Sequence, residues 1–197
     1  LNSEQKKFHS RAVRARRELE KEKLTYGAIH DGSGKRYLVG VLFLLAGDVL
    51  EANKAFDWFY AEFPDDVGEP IFFLYGALAA FRAGHVDMAS TRLKETMLSN
   101  VYLLPYLIDA EIDAAGIWHS SNWAMESYLD EVGEYLDEPS EGERRWIASQ
   151  LISEPFVALM REFLSCSRAL ATESDVSKRR AILAELKKVR VAAGLRH

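Results

Sequence analysis

Residues 39–64 read VGVLFLLAGDVLEANKAFDWFYAEFP, and this stretch decides the fold. Val39-Gly40 stands three residues before Phe43, Gly47-Asp48 breaks the apolar run, Ala52 stands four before Phe56, and Pro64 closes the segment. Residues three or four apart share one face of a helix, so each small–large pair offers a flat spot beside a bulky one. Asp48 is a good N-cap, and Gly47 suits a tight turn. Two helices joined by a short turn follow. Thirty-seven residues on come Phe73, Gly76-Ala77, then Ala89 four before Leu93; thirty-five further comes Ala124, four before Tyr128. Recurrence at this period predicts stacked helical hairpins.

On either side of the hairpins, apolar periodicity extends the helical reading. Asn2 to Leu24 reads as a basic amphipathic helix with one stripe, Phe8, Ala12, Ala15 and Leu19. Asp31-Gly32-Ser33-Gly34 ends this arm. Lys35–Ala46 and Val49–Phe63 form the first hairpin, and Pro70–Ala83 and Val86–Ser99 the second, with Pro70 in a first turn. Pro105–Trp118 and Asn122–Leu136 are expected to form the third, capped by Ser120 or Ser121. Glu141–Ile152, Pro155–Thr172 and Asp175–Val191 complete the chain, the last with the stripe Ile182, Leu186, Val189 and Ala193. No period-two strand pattern occurs, so β content should be negligible. The expected organisation is one all-α domain over 1–197: an arm (1–30), hairpins (35–136) and a helical cap (141–197).

Composition bounds the rest. With 197 residues, 48% apolar and 28% charged, the chain can bury a substantial core and lies far from disordered compositions. The longest apolar run, Tyr37 to Ala46, is ten residues, too short to span a bilayer. No signal-peptide core opens the chain, although Leu1 without a preceding Met reads as the start of a trimmed or partial one. A single cysteine, Cys166, excludes an intramolecular disulfide and fits a reducing compartment, so a cytoplasmic protein is expected. The net charge of −5 is uneven: residues 1–24 carry +4 (eight Lys/Arg, four acids) and residues 176–197 carry +6 (seven and one), which leaves −15 between. Basic ends on an acidic body admit nucleic-acid binding by the terminal helices. Solvated helix faces are the expectation, because no aromatics are interleaved to stack on bases.

The order Val39-Gly40, Phe43, Gly47, Ala52, Phe56, Pro64 resembles the tetratricopeptide repeat, whose period is about 34. Arg36 stands where that family has Trp. A second unit resembles it through Phe73, Ala77, Gly84, Ala89 and Leu93, with Ala80 in the large aromatic slot, and a third through Ala124 and Tyr128. The resemblance covers residues 35–136 and implies a right-handed stack of antiparallel hairpins. It implies a concave binding face made of Tyr37, Val41, Leu44 and Leu45 from the first unit, and Ile71, Leu74, Leu78, Phe81 and Arg82 from the second. It implies a non-enzymatic scaffold or adaptor whose partner is a protein or peptide, such as an amphipathic helix. Alternatives are an inhibitor or immunity-type protein masking one partner, and nucleic-acid binding through the basic ends. An apolar face of this size calls for a cover. The chain's own arm is the expected one, with Phe8 and Leu19 docked on the hairpins.

Candidate chemistry is sparse. Asp31-Gly32-Ser33-Gly34-Lys35 lacks the leading Gly and the Ser/Thr of a phosphate loop (Ile29 and Arg36 stand there), which leaves a turn and a weak anion site at Gly34–Arg36. Asp109 and Asp113 would share a helix face and offer two oxygen ligands to a hard metal, too few for a site. Asp130, Glu131, Glu134, Asp137, Glu138, Glu141 and Glu143 form an acidic stretch suited to solubility or steering. The five histidines have no metal-ligand spacing, and Cys166 lies among apolar residues. Trp118, His119 and Trp123 are expected to anchor a core rather than form a ligand platform. No catalytic residue, metal or cofactor is expected.

Overall fold

In a computed structural model, residues 2–132 and 138–195 are described. They form ten α-helices and one 3-10 turn, and no strand occurs among them. The helices are α1 (Ser3–Tyr26), α2 (Lys35–Leu45), α3 (Val49–Glu62), α4 (Pro70–Arg82), α5 (Val86–Ser99), α6 (Leu103–Leu107), α7 (Tyr128–Val132), α8 (Glu141–Leu151), α9 (Glu154–Thr172) and α10 (Val176–Ala192). Capping explains several starts. Asn2 and Gln5 form a capping box on α1, Asp48 accepts from Glu51 N on α3, and Ser140 and Glu143 form a second box on α8. The chain divides into two compact units, Leu1–Ala89 and Ser90–His197.

In the first unit, α1 packs along α2, and α2, α3 and α4 pack on one another. Contacting pairs give the directions. Tyr37 meets Phe59 and Gly40 meets Phe56, so α2 and α3 run antiparallel. Phe56 meets Phe72 while Asn53 Nδ2 donates to the Ala79 carbonyl at 2.8 Å, so α3 and α4 are antiparallel too. Gly40 is what brings α2 down on α3: a Cβ there would meet the Phe56 ring at 2.9 Å. The core between these helices is a run of rings, with centroids 4.5 Å apart for Phe59–Phe72, 5.0 Å for Phe56–Phe72 and 5.4 Å for Tyr37–Phe72.

The arm is docked. Ala12, Ala15 and Leu19 are buried, while Phe8 is half-buried. The His9 ring lies edge-on to Phe43 at 5.4 Å, and the Arg16 guanidinium sits 4.8 Å over the same ring. Three ion pairs clamp the helix along its length: Arg16–Glu51 at 2.8 Å, Lys35–Glu18 at 2.8 Å and Lys23–Glu62 at 2.5 Å.

The second unit departs from expectation. Pro105–Trp118 is not a helix: α6 begins earlier, at Leu103, and ends at Leu107, and Asp109 takes a left-handed φ of 54°. Residues 108–121 have no helical assignment. Asn122–Leu136 is not one helix either; Asn122–Ala124 is a 3-10 turn without a side-chain cap from Ser121, and α7 spans only Tyr128–Val132. Residues 133–136 of that expectation lie outside the described residues. Ala124 and Tyr128 therefore do not share a helix, and the third small–large pair is no repeat unit. Tertiary contacts override the local preference. Ala114 and Ile117 bury against Val101 and Leu164, and Arg168 Nη2 donates to the Asp113 carbonyl at 2.8 Å. Trp118 N donates to the Ser167 carbonyl at 3.0 Å. Below them, α9 packs on α10 through a face that includes Leu170, Leu186 and Val189, and Arg179 closes the end of α9 by donating to the Leu170 and Glu173 carbonyls.

Candidate interaction surfaces

The nine residues of the expected concave face meet different fates. Leu44, Leu74 and Leu78 are core residues at 1%, 0% and 3% exposure. Tyr37, Val41, Leu45, Ile71 and Phe81 are half-buried, and only Arg82 is exposed. Tyr37 points at Phe59 and Phe72, and its hydroxyl donates to Asp66 Oδ1 at 2.5 Å. Folded, the first unit presents no open apolar groove of these residues: the leucines are committed to its interior.

Around Tyr37 lies a polar knot that joins the loop before α2 to the loop after α3. Arg36 stacks 4.5 Å over the Tyr37 ring, donates to Asp66 Oδ2 at 2.7 Å and reaches Asp31 Oδ2 at 3.3 Å. Arg36 thus combines a planar surface and two carboxylate partners in one side chain. Burial, with the Asp66 bond second, pushes the Tyr37 phenol up to about 12.

The weak anion site expected at Gly34–Arg36 is taken by the chain itself. The buried Asp31 carboxylate accepts from Lys35 N and Arg36 N, each at 2.8 Å, so the free N–H groups at the start of α2 already hold an anion. The Lys35 side chain is turned to Glu18.

The acidic pair is also resolved differently. Asp109 and Asp113 lie in irregular chain, not on one helix face; Asp109 pairs with Arg144 at 2.6 Å and Asp113 with Arg168 at 3.1 Å. Among the described residues no three His, Cys, Asp or Glu side chains gather as a metal site. Cys166 is half-buried, and burial first, then Glu185 and Glu162, push its thiol up, away from the thiolate a nucleophile needs. In the acidic stretch, Glu143 is buried and serves the α8 capping box, whereas Asp130, Glu131, Glu138 and Glu141 are exposed; Glu134 and Asp137 lie outside the described residues.

Sequence reasoning missed Asn100. It is buried, and it spends both ends of its amide on the backbone. Nδ2 donates to the carbonyls of Trp123 at 2.7 Å and Met125 at 3.1 Å; Oδ1 accepts from Tyr102 N at 2.9 Å and Leu103 N at 3.0 Å. One side chain thus starts α6 and holds a turn twenty-five residues on. That turn presents Trp123 and Met125, each 40% exposed. Trp118 is half-buried, and the His119 ring stacks on Tyr102, with Nε2 3.2 Å from its hydroxyl. Trp118 and His119 follow the anchoring expectation; Trp123 does not.

The outer face of α1 is the other exposed feature. It carries Lys6, Lys7, Arg11, Arg14, Arg17 and Lys21, and a shallow depression of about 570 Å3 runs along it. No helix among the described residues is long and apolar enough to cross a membrane. Comparison with protein-family models, with curated proteins and with solved structures returned no match.

Proposed function

We propose that this chain is a non-enzymatic protein-binding module whose contact surface is the Trp123–Met125 turn. The single observation behind it is Asn100: a buried amide with four backbone hydrogen bonds holds two large apolar side chains out in solvent. Trp and Met are residue types that interfaces favour, and tryptophan above all dominates binding energy when it fills a pocket. A preordered turn removes part of the entropy cost that a mobile loop would pay on binding. Irregular segments as long as 108–127 inside a folded unit tend to carry function.

The first four helices serve in this reading as scaffold. We read α2–α3 as a tetratricopeptide-like hairpin and α4, antiparallel to α3, as the first helix of the next in a right-handed stack, supported by the ring contacts and by Gly40 under Phe56. The partner is a protein or peptide offering an apolar pocket. Against an enzyme stand the raised Cys166 thiol and the two aspartates already neutralised by arginines.

The test compares the wild type with Trp123→Ala/Met125→Ala as baits in extracts of the native cell, with bound proteins quantified by mass spectrometry. One or a few proteins should lose at least tenfold in recovery with the variant, at unchanged thermal midpoint. Equal recovery of every protein by both baits would end the proposal.

A further inference from the structure

The cations of α1 fall into two classes. Arg16 and Lys23 turn toward the core helices and pair with Glu51 and Glu62. Lys6, Lys7, Arg11, Arg14, Arg17 and Lys21 are exposed and make no ion pair among the described residues. At 100° per residue, Lys6, Lys7, Arg14, Arg17 and Lys21 fall within an arc of about 100°, opposite Ala12 and Leu19, which face the core. From Lys6 to Lys21 the stripe runs roughly 22 Å. Of the acids beside the stripe, Glu4, Glu18 and Glu20, Glu18 is engaged by Lys35, whose hydrogen bond and charge hold its carboxyl below the usual range.

From this arrangement we infer that the outer face of α1 binds the phosphate backbone of duplex DNA, lying along the major groove. A helix with its side chains is about 10–12 Å across, and the groove of B-DNA is about 12 Å wide. Its other members are Ser3, Ser10, Thr25 and, at the C-terminal end, the exposed Leu24, the one large apolar residue on the arc. A lone leucine is not the apolar face beside the cations that insertion into a lipid surface requires. No aromatic ring is there to serve as a stacking platform for the bases of a single strand. Duplex RNA has a deep, narrow major groove that does not admit a helix. The surface is preformed, since α1 is seated by Leu19 and three ion pairs before any ligand arrives. α10 lacks such a stripe: Arg179 caps α9, Lys188 pairs with Glu185 and Arg190 is half-buried.

The test is fluorescence anisotropy of the full chain with a 20-bp duplex of mixed sequence at 50 to 200 mM salt. Five phosphate contacts predict a slope of log affinity against log salt of about −4.5. Arg14→Gln/Arg17→Gln/Lys21→Gln should weaken binding at least tenfold at 50 mM and reduce the slope to about −2. Its thermal midpoint should not change, because the three side chains support nothing in the fold. Lys178→Gln/Arg180→Gln/Lys187→Gln in α10 should bind like the wild type. No binding at 50 mM, or equal loss in the two triple variants, would overturn the inference. So would retention of the wild type, but not the α1 variant, by vesicles containing 30% phosphatidylserine. Tighter binding to single-stranded RNA, or competition by polyglutamate as effective as by DNA, would also overturn it.

Discussion

Residues 35–82 and residues 100–127 are held by opposite means. In the first, helices meet through side-chain volume: Phe56 and Phe59 pack at 5.0 and 4.5 Å from Phe72, and Gly40 makes room for the ring opposite. In the second, single polar side chains grip the backbone. Asn100 takes two carbonyls and two N–H groups, and Arg168 takes the Asp113 carbonyl. Packing by volume requires many residues of the right size at a fixed spacing. A polar grip requires one residue in the right place. The first arrangement makes a rigid platform and the second shapes an irregular surface on which side chains stay free to meet a partner.

The largest effect should come from disturbing the ring packing. Gly68 has φ of 63°, and a Cβ there would overlap the Phe73 ring, itself buried. Gly68→Ala adds left-handed strain of about 1–2 kcal/mol and a steric term of about 1–3 kcal/mol. A loss near 3 kcal/mol in urea unfolding is expected for the first unit. A loss below 1 kcal/mol would mean that Phe73 can swing aside, and that the rings are less interlocked than the hairpin contrast requires. Gly40→Ala separates the two contributions. Its Cβ would press on Phe56 at 2.9 Å, but alanine gains about 1 kcal/mol of helix preference, so a net cost near 1 kcal/mol is expected.

A smaller and more local effect is expected in the second region. Asn100→Ala leaves two N–H groups and two carbonyls without their partner, at about 2 kcal/mol in total where water can replace some of the bonds. Hydrogen exchange should speed at Tyr102 and Leu103, and protease cleavage should appear within 108–127, while α2–α4 keep their protection. Equal loosening of α2–α4 would show that the two regions share one unfolding unit.

These two mechanisms explain how much was legible in the sequence. The ends of α1 to α5 and α8 to α10 follow from apolar period and caps: Asn2, Asp48 and Ser140 cap as their residue types require. Gly40 and Phe56 form a readable pair because their contact is about size. Ala124 and Tyr128 have the same spacing and fail, because Met125 is extended and Asn100 holds that turn away from helix. Nothing periodic marks Asn100, whose partners lie up to twenty-five residues away. Apolar pattern marks Leu44, Leu74 and Leu78 as side chains that need a cover, and burial at 1%, 0% and 3% shows that they have one, but pattern alone does not separate a partner-binding face from a core, because burial belongs to the assembled unit.

The smallest effect expected is one that fades at alkaline pH, and it tests how far the polar knot at Tyr37 supplements the rings. The folded phenol is raised to about 12 from an ordinary value of 10.0, by burial first and by Asp66 next. Below pH 10 the phenol is protonated in folded and unfolded chains alike, and its full contribution is present. Between pH 10 and about 12 the unfolded chain gives up this proton and the folded one retains it, so stability falls as pH rises. Tyr37→Phe keeps the ring against Phe59 and Phe72 but loses the hydroxyl bond to Asp66, which still receives Arg36 Nε and Gly68 N. At pH 7 the variant should be less stable by about 1 kcal/mol. That gap should close as pH rises from 10 towards 12, because only the wild type carries the titrating group. A gap that stays constant over that range would mean the folded phenol titrates like the unfolded one, and that rings alone join the two loops.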